Sequence, residues 1–141
     1  MANRAILIVE DEPGIGEILE YALNDEPGYQ ATAVPNGAAA LAFLAEVRVD
    51  LMLLDINMPG LDGFAIHDLI RARPGTAGTP ILFMTAADHT EEFVRRGVGT
   101  WLAKPFAIDD LLALVASVLD RGPAGDGVAP HGGQEGRDQG Q

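Results

Sequence analysis

The feature that most constrains this chain is a regular alternation. Short, unbroken apolar runs are separated by segments whose apolar residues recur at helical spacing, and the pair repeats five times. A run such as Ala5 to Val9 has no polar side to turn towards water, so it needs cover on both faces. Strands of that kind, each followed by a helix-length segment, build a parallel sheet with helices packed above and below. The expected fold class is therefore α/β, with a doubly wound, five-stranded parallel sheet.

The boundaries follow from local chemistry. After the strand at Ala5 to Val9, Pro13 suits the first turn of a helix carrying Ile15, Ile18, Leu19, Ala22 and Leu23, and Asn24 to Gly28 breaks it. Tyr29 to Val34 is a more polar second strand, and Asn36 caps a helix with Leu41, Leu44 and Ala45 on its stripe. Val49 to Leu54 is the most apolar strand, hence central. A loop from Asn57 to Gly63 leads into a helix from about Phe64 to Arg73, closed by Pro74-Gly75. Pro80 to Met84 is the fourth strand, Thr90 to Arg96 a short helix ending at Gly97, and Thr100 to Ala103 the fifth strand. Ile108 to Leu119 is the last helix, its stripe of Ile108, Leu111, Leu112, Val115, Val118 and Leu119 read as core.

Residues 1–121 thus form one domain. From Gly122 to Gln141 the only large apolar side chain is Val128, too little burial to offset the entropy of ordering, so a disordered tail is expected. The net charge of −12 argues against direct contact with nucleic acid or anionic membrane and leaves a protein as the expected partner. With no cysteine, disulfides and thiolate chemistry are excluded. No apolar run approaches the roughly 18 residues of a membrane span, and no signal-peptide pattern precedes the first strand, so the expected location is the cytoplasm.

Where the apolar runs stop matters more than where they start. AILIV runs into Glu10 and Asp11, LMLL into Asp55, ILFM into Thr85, and TWLA into Lys104, the only lysine. In an open parallel sheet the carboxyl ends of the strands lie side by side and form the ligand crevice. Three carboxylates, a hydroxyl and an ammonium would meet there. Crowded acids repel one another, whereas Mg²⁺ is held by a few hard oxygens and keeps sites for water and phosphate. Asp55 can then act as a nucleophile towards a phosphoryl group, with Lys104 and Thr85 bonding its oxygens.

Taken together, EDEP after the first strand, LLDINMPGLDG around Asp55, MTA at Thr85 and WLAKPF at Lys104 resemble the receiver domain of two-component response regulators, from about Ala5 to Leu119. The resemblance implies a flavodoxin-like fold in which Asp55 accepts a phosphoryl group, with Mg²⁺ required, from a sensor histidine kinase or histidine phosphotransfer protein. It implies Asp11 and Asp55 as direct metal ligands, Glu10 acting largely through water, and Asn57 contributing its backbone carbonyl. Thr85 and Lys104 would take the phosphoryl group, Pro105 would set the bend after the lysine, often through a cis bond, and Trp101 would be the switching aromatic. A downstream protein would read the altered surface. Asn57 and Ala87 occupy the positions that tune phosphoryl decay, and an alanine there implies a lifetime not especially short.

This chain departs from the family pattern in carrying Trp101 rather than Tyr or Phe, Glu10 rather than Asp, and an interval from Thr85 to Lys104 about one helical turn short. His67 is expected to be a surface or satisfied histidine on a helix, His89 to border the site at most, and His131 to lie in the tail. The expected protein is a single-domain phosphorylatable switch whose only catalysis is self-phosphorylation and self-hydrolysis. The alternatives are a pseudo-receiver that works without phosphorylation and a receiver from a longer regulator. A phosphatase of the haloacid dehalogenase type would need an acid where Asn57 stands. A flavin carrier would be repelled by Glu10-Asp11-Glu12.

Overall fold

A computed structural model describes residues 3–60 and 62–121; the expected tail lies outside the described residues. Strand and helix alternate as β1 Arg4–Val9, α1 Pro13–Asn24, β2 Tyr29–Val34, α2 Gly37–Glu46, β3 Leu51–Asp55, α3 Gly63–Ala72, β4 Ile81–Thr85, α4 Thr90–Arg96, β5 Trp101–Ala103 and α5 Ile108–Arg121. All strand pairs are parallel and their order is β2-β1-β3-β4-β5, the flavodoxin-like arrangement. Among the described residues no helix is long and apolar enough to cross a membrane.

The sheet is apolar on both faces because alternate residues point to opposite sides. Leu7, Val9, Met52, Leu54, Ile81 and Phe83 pack with Ala40, Leu44, Ile66, Ile70 and Phe93, which come from α2, α3 and α4. Ile6, Ile8, Leu53, Leu82 and Met84 pack with Leu19 and Leu23 of α1 and Leu111, Val115 and Leu119 of α5. The order reverses between β1 and β3, so the crevice opens between the ends of those two strands.

Two strands are displaced from their apolar runs. β3 starts at Leu51 rather than Val49, because the Asp50 carboxylate accepts the Ala5 N–H at 2.8 Å while the Asp50 N–H donates to the Ala5 carbonyl at 2.7 Å. It ends one residue later than its apolar run, since Asp55 still pairs with Met84. β4 likewise omits Pro80, which has no N–H to give, and extends through Thr85 opposite Ala103.

Helix ends are set by local bonds. Asn36 accepts the Ala39 N–H at 2.8 Å, and Asp62 accepts that of Ala65 at 2.9 Å. Gly97 ends α4 in the left-handed region at φ +75°, leaving a helix of 7 residues, in line with the short interval in the sequence. The outer edge of β2 is occupied: Asn24 bonds both the N–H and the carbonyl of Ala31, and Glu20 accepts the N–H of Ala33.

Candidate functional site

The parallel ladder carries Glu10, Asp55, Thr85 and Lys104 to one end of the sheet. Glu10 follows β1 and is 2% exposed, Asp55 closes β3 at 3%, and Thr85 closes β4 at 2%. Lys104 follows β5, its N–H bonded to the Thr85 carbonyl at 2.8 Å, so its side chain starts beside Thr85 and reaches back across β4. Lys104 Nζ donates to Glu10 Oε1 at 2.8 Å and to Asp55 Oδ2 at 3.4 Å. The shorter contact is with Glu10, whose additional methylene carries its carboxylate further than an aspartate would.

Oxygens of Glu10, Asp11 and Asp55 all lie within 4.8 Å of one another. In an octahedron with bonds of 2.0–2.1 Å, neighbouring ligands stand about 3 Å apart and opposite ones about 4 Å. The trio therefore needs little closure to share an ion. Three carboxylates against one ammonium leave about two negative charges, which a dication would neutralise. Donor type, spacing and charge all fit a hard divalent cation.

The environment shows the same imbalance on Asp55. Burial and then the neighbouring Glu10 carboxylate push its carboxyl up to about 6, against the opposing pull of Lys104 and of the Asn57 N–H, which donates to Asp55 Oδ1 at 3.1 Å. Burial depresses the Lys104 ammonium, but its bond to Glu10 and the charges of both acids outweigh that and leave it above its ordinary value. Glu10 is further held by the Glu12 N–H, which donates to its Oε2 at 3.3 Å.

The Thr85 hydroxyl is tied to its own loop, donating to the Ala87 carbonyl at 3.2 Å and accepting the Ala87 N–H at 3.1 Å. The Asn57 side-chain amide stands 3.5 Å from it. To bond anything in the crevice, the hydroxyl has to exchange Ala87 for the new partner. The Lys104-Pro105 peptide is cis, as the resemblance implied. Trp101, three residues before Lys104, is half-buried and stacks on the buried ring of Phe93 at 4.5 Å.

Two contributors, Gly63 and Arg96, do not stand out in the sequence. Gly63 is required by close approach: a Cβ there would sit 2.7 Å from Ile56 Cα and 2.8 Å from the Asp55 carbonyl oxygen. Its position directly after the capping Asp62 is the only signal. Arg96 of α4 crosses to α3, where it bonds Asp68 Oδ1 at 2.7 Å and His67 Nδ1 at 3.0 Å, and lies over Phe64. His67, a satisfied histidine, is consequently buried against Phe83. His89 packs edge-on against Phe64 beside the site instead of entering it.

The comparisons with known proteins agree with one another. Residues 6–116 match the response regulator receiver domain family. The sensory transduction protein RegX3 of Mycobacterium tuberculosis is 35% identical over 121 residues, covering 84% of this chain and 52% of that protein. The transcriptional activator protein IrlR of Burkholderia pseudomallei is 38% identical over 122 residues, with the same coverage. The chain thus spans about half the length of the curated relatives it matches. Among solved structures, the chemotaxis protein CheY4 of Vibrio cholerae superposes with a TM-score of 0.76 at 31% identity, covering 83% of this chain and 99% of that one. The response regulator TrrA of Thermotoga maritima, solved in complex with Mg(2+)-BeF, gives 0.71 at 32%, covering 82% and 98%. Proteins of this family are generally phosphorylatable switches rather than enzymes, and they interact with histidine kinases. With its fold, its acidic crevice and its sequence in agreement, this chain belongs to the receiver domain family of two-component response regulators.

Proposed function

We propose that the chain is a phosphoacceptor in a two-component or phosphorelay system, with Asp55 as the acceptor and a phosphohistidine protein as the donor. The observation that supports this best is the placement of Lys104 Nζ between Glu10 and Asp55, with Thr85 at the end of the adjoining strand. Asp55 attacks the phosphorus, forming an O–P bond as the P–N bond to the donor imidazole breaks. The electron pair leaves with the imidazole nitrogen, which regains a proton. Asn57 N–H holds one carboxylate oxygen in place throughout. Lys104 leaves its carboxylate partners for a phosphoryl oxygen, and the Thr85 hydroxyl leaves Ala87 for another.

Asp11 and Asp55, with the Asn57 carbonyl and with Glu10 largely through water, would hold Mg²⁺. When bound, it supplies charge neutralisation for the carboxylates and the incoming phosphoryl oxygens. Withdrawal of Thr85 into the crevice, with reorientation of Trp101, alters the surface formed by α4, β5 and α5, which a downstream protein reads. Pro105 sets the turn from which Lys104 extends. At Ala87 there is no side chain to orient a hydrolytic water, so the phosphoryl group persists longer than seconds at room temperature.

Incubation with a small-molecule phosphodonor and Mg²⁺, followed by phosphate-affinity electrophoresis, tests this directly. Wild type should shift, and Asp55→Asn or chelation should abolish the shift. If no donor shifts wild type, the chain is a pseudo-receiver. A shift that survives Asp55→Asn places the acceptor elsewhere.

A further inference from the structure

Among the described helices α4 is the shortest. Its 7 residues are too few to hold a helix without tertiary support, and Phe93 is the one of them that is buried. Two side chains tie it to the rest of the domain. Phe93 packs among the rings of Phe64, Phe83 and Trp101, and Arg96 reaches α3, where it donates to Asp68 Oδ1 at 2.7 Å and to His67 Nδ1 at 3.0 Å and lies 4.7 Å over the ring of Phe64. A guanidinium only donates, so His67 Nδ1 is the acceptor. Glu92 also bonds Arg96, but it belongs to α4 itself and aims the side chain without tethering the helix.

The amino end of the same helix works against this hold. His89 stands at the capping position without a side-chain bond to the helix. Its Nε2 is buried with no hydrogen-bond partner among the described residues, the ring edge-on to Phe64 at 5.4 Å and to Phe93 at 6.3 Å. A desolvated nitrogen without a partner costs the arrangement that contains it, and a shift that admits water removes the cost. His89 also ends the short segment that begins at Thr85, whose hydroxyl bonds both the carbonyl and the N–H of Ala87.

We infer that Arg96 and His89 set the balance of the switch from opposite sides: the Arg96 clamp onto α3 holds α4 in the resting arrangement, and the stranded His89 nitrogen favours leaving it. The inference rests on Asp55 being the phosphoacceptor and on Thr85 exchanging Ala87 for the phosphoryl group. That exchange frees Ala87 and passes a displacement along residues 86–89 into α4. Directional bonds such as those from Arg96 to Asp68 and His67 do not survive a shift of about 1 Å. Affinity for a phosphoryl group scales with the fraction of molecules already shifted, so loosening the clamp raises it and removing the stranded nitrogen lowers it.

Beryllofluoride affinity by calorimetry and the labelling rate with acetyl phosphate, both at saturating Mg²⁺, are compared in wild type, Arg96→Ala, Asp68→Asn and His89→Phe. Arg96→Ala should bind beryllofluoride roughly fivefold more tightly and label faster. Asp68→Asn loosens the clamp from the α3 side with Arg96 retained, so it should change both in the same direction by less, and adding it to Arg96→Ala should change nothing further. His89→Phe fills the place between Phe64 and Phe93 without a polar nitrogen and should do the opposite, binding more weakly and labelling more slowly. Mg²⁺ affinity without a phosphoryl analogue should be equal in all four proteins. Unchanged or weaker beryllofluoride binding in Arg96→Ala, the same sign for Arg96→Ala and His89→Phe, or changes matched by Mg²⁺ affinity overturn the clamp while leaving Asp55 as acceptor. Absence of labelling in wild type, or labelling of Asp55→Asn, overturns the acceptor reading and the clamp's part in switching with it.

Discussion

Two clusters of charge in this molecule are built on opposite terms. On the surface between α3 and α4, Arg95 and Arg96 meet Glu92 and Asp68, two cations for two carboxylates, with Arg96 also bonded to His67 and laid over Phe64. There the Glu92 carboxyl is held below its ordinary value, first by Arg95 and then by Arg96. At the end of the sheet, three carboxylates share one ammonium, two of the acids are buried, and Asp55 is pushed up to about 6. The first cluster is complete within the chain. The second is a buried surplus of charge that the fold retains at a cost, which is the mark of a site awaiting a ligand.

The largest effect should separate the clusters by their response to Mg²⁺. A ligand that binds only the folded state, at a hundredfold excess over Kd, stabilises it by about 2.7 kcal/mol. For a domain of this size that raises Tm by roughly 6–10 °C, measurable by scanning calorimetry. The gain should disappear in Asp11→Asn and persist in Arg96→Ala. It should also vanish on acidification: Asp55 takes up its proton near pH 6 when folded, so the ion has to displace that proton below this pH. A Tm rise of equal size at pH 5 and pH 8 would refute the link.

Breaking the balanced cluster comes next. Arg96→Ala removes two ion pairs, the bond to His67 and the contact with Phe64, and should cost about 1–2 kcal/mol in chemical denaturation. Arg96→Lys, which keeps charge but loses the planar fork, should recover less than half of it. A cost within error of zero would reduce the cluster to surface decoration.

The smallest effect has the opposite sign. Asp55→Asn removes one of the crowded charges and should stabilise the metal-free protein at pH 7 by about 1 kcal/mol, discounted for solvent screening and for the lost contact with Lys104. The sign follows from linkage. A carboxyl whose folded value lies above its unfolded value destabilises the fold once ionised, so metal-free wild type should lose stability as pH rises from about 4 to about 6. Asp55→Asn should flatten that slope.

Much of this was legible from residue order alone. Tyr29–Val34 and Thr90–Arg96 stand where alternation, Asn36 and Gly97 predicted them, because their limits are local. The five polar residues at the strand ends converge because a parallel sheet leaves their carboxyl ends no other place. What escaped was set by contacts distant in sequence. Asp55 and Thr85 belong to their strands because Met84 and Ala103 pair with them, and no hydropathy pattern reports pairing. The preference of Lys104 for Glu10 over Asp55 depends on one methylene and the angle of approach. The Arg96 network joins positions nearly thirty residues apart with no shared period, and the need for a bare Cα at Gly63 appears only once α3 is seated on the Asp55 loop.

The occupied margin of β2 has a consequence beyond the domain's own stability. With Asn24 and Glu20 covering one border and the other only three residues long, a neighbouring strand finds almost no free backbone to zip onto. A sheet this rich in aliphatic residues would otherwise be a template for fibrils. The same two side chains that look incidental to signalling are therefore what should keep the folded chain from polymerising when it is concentrated.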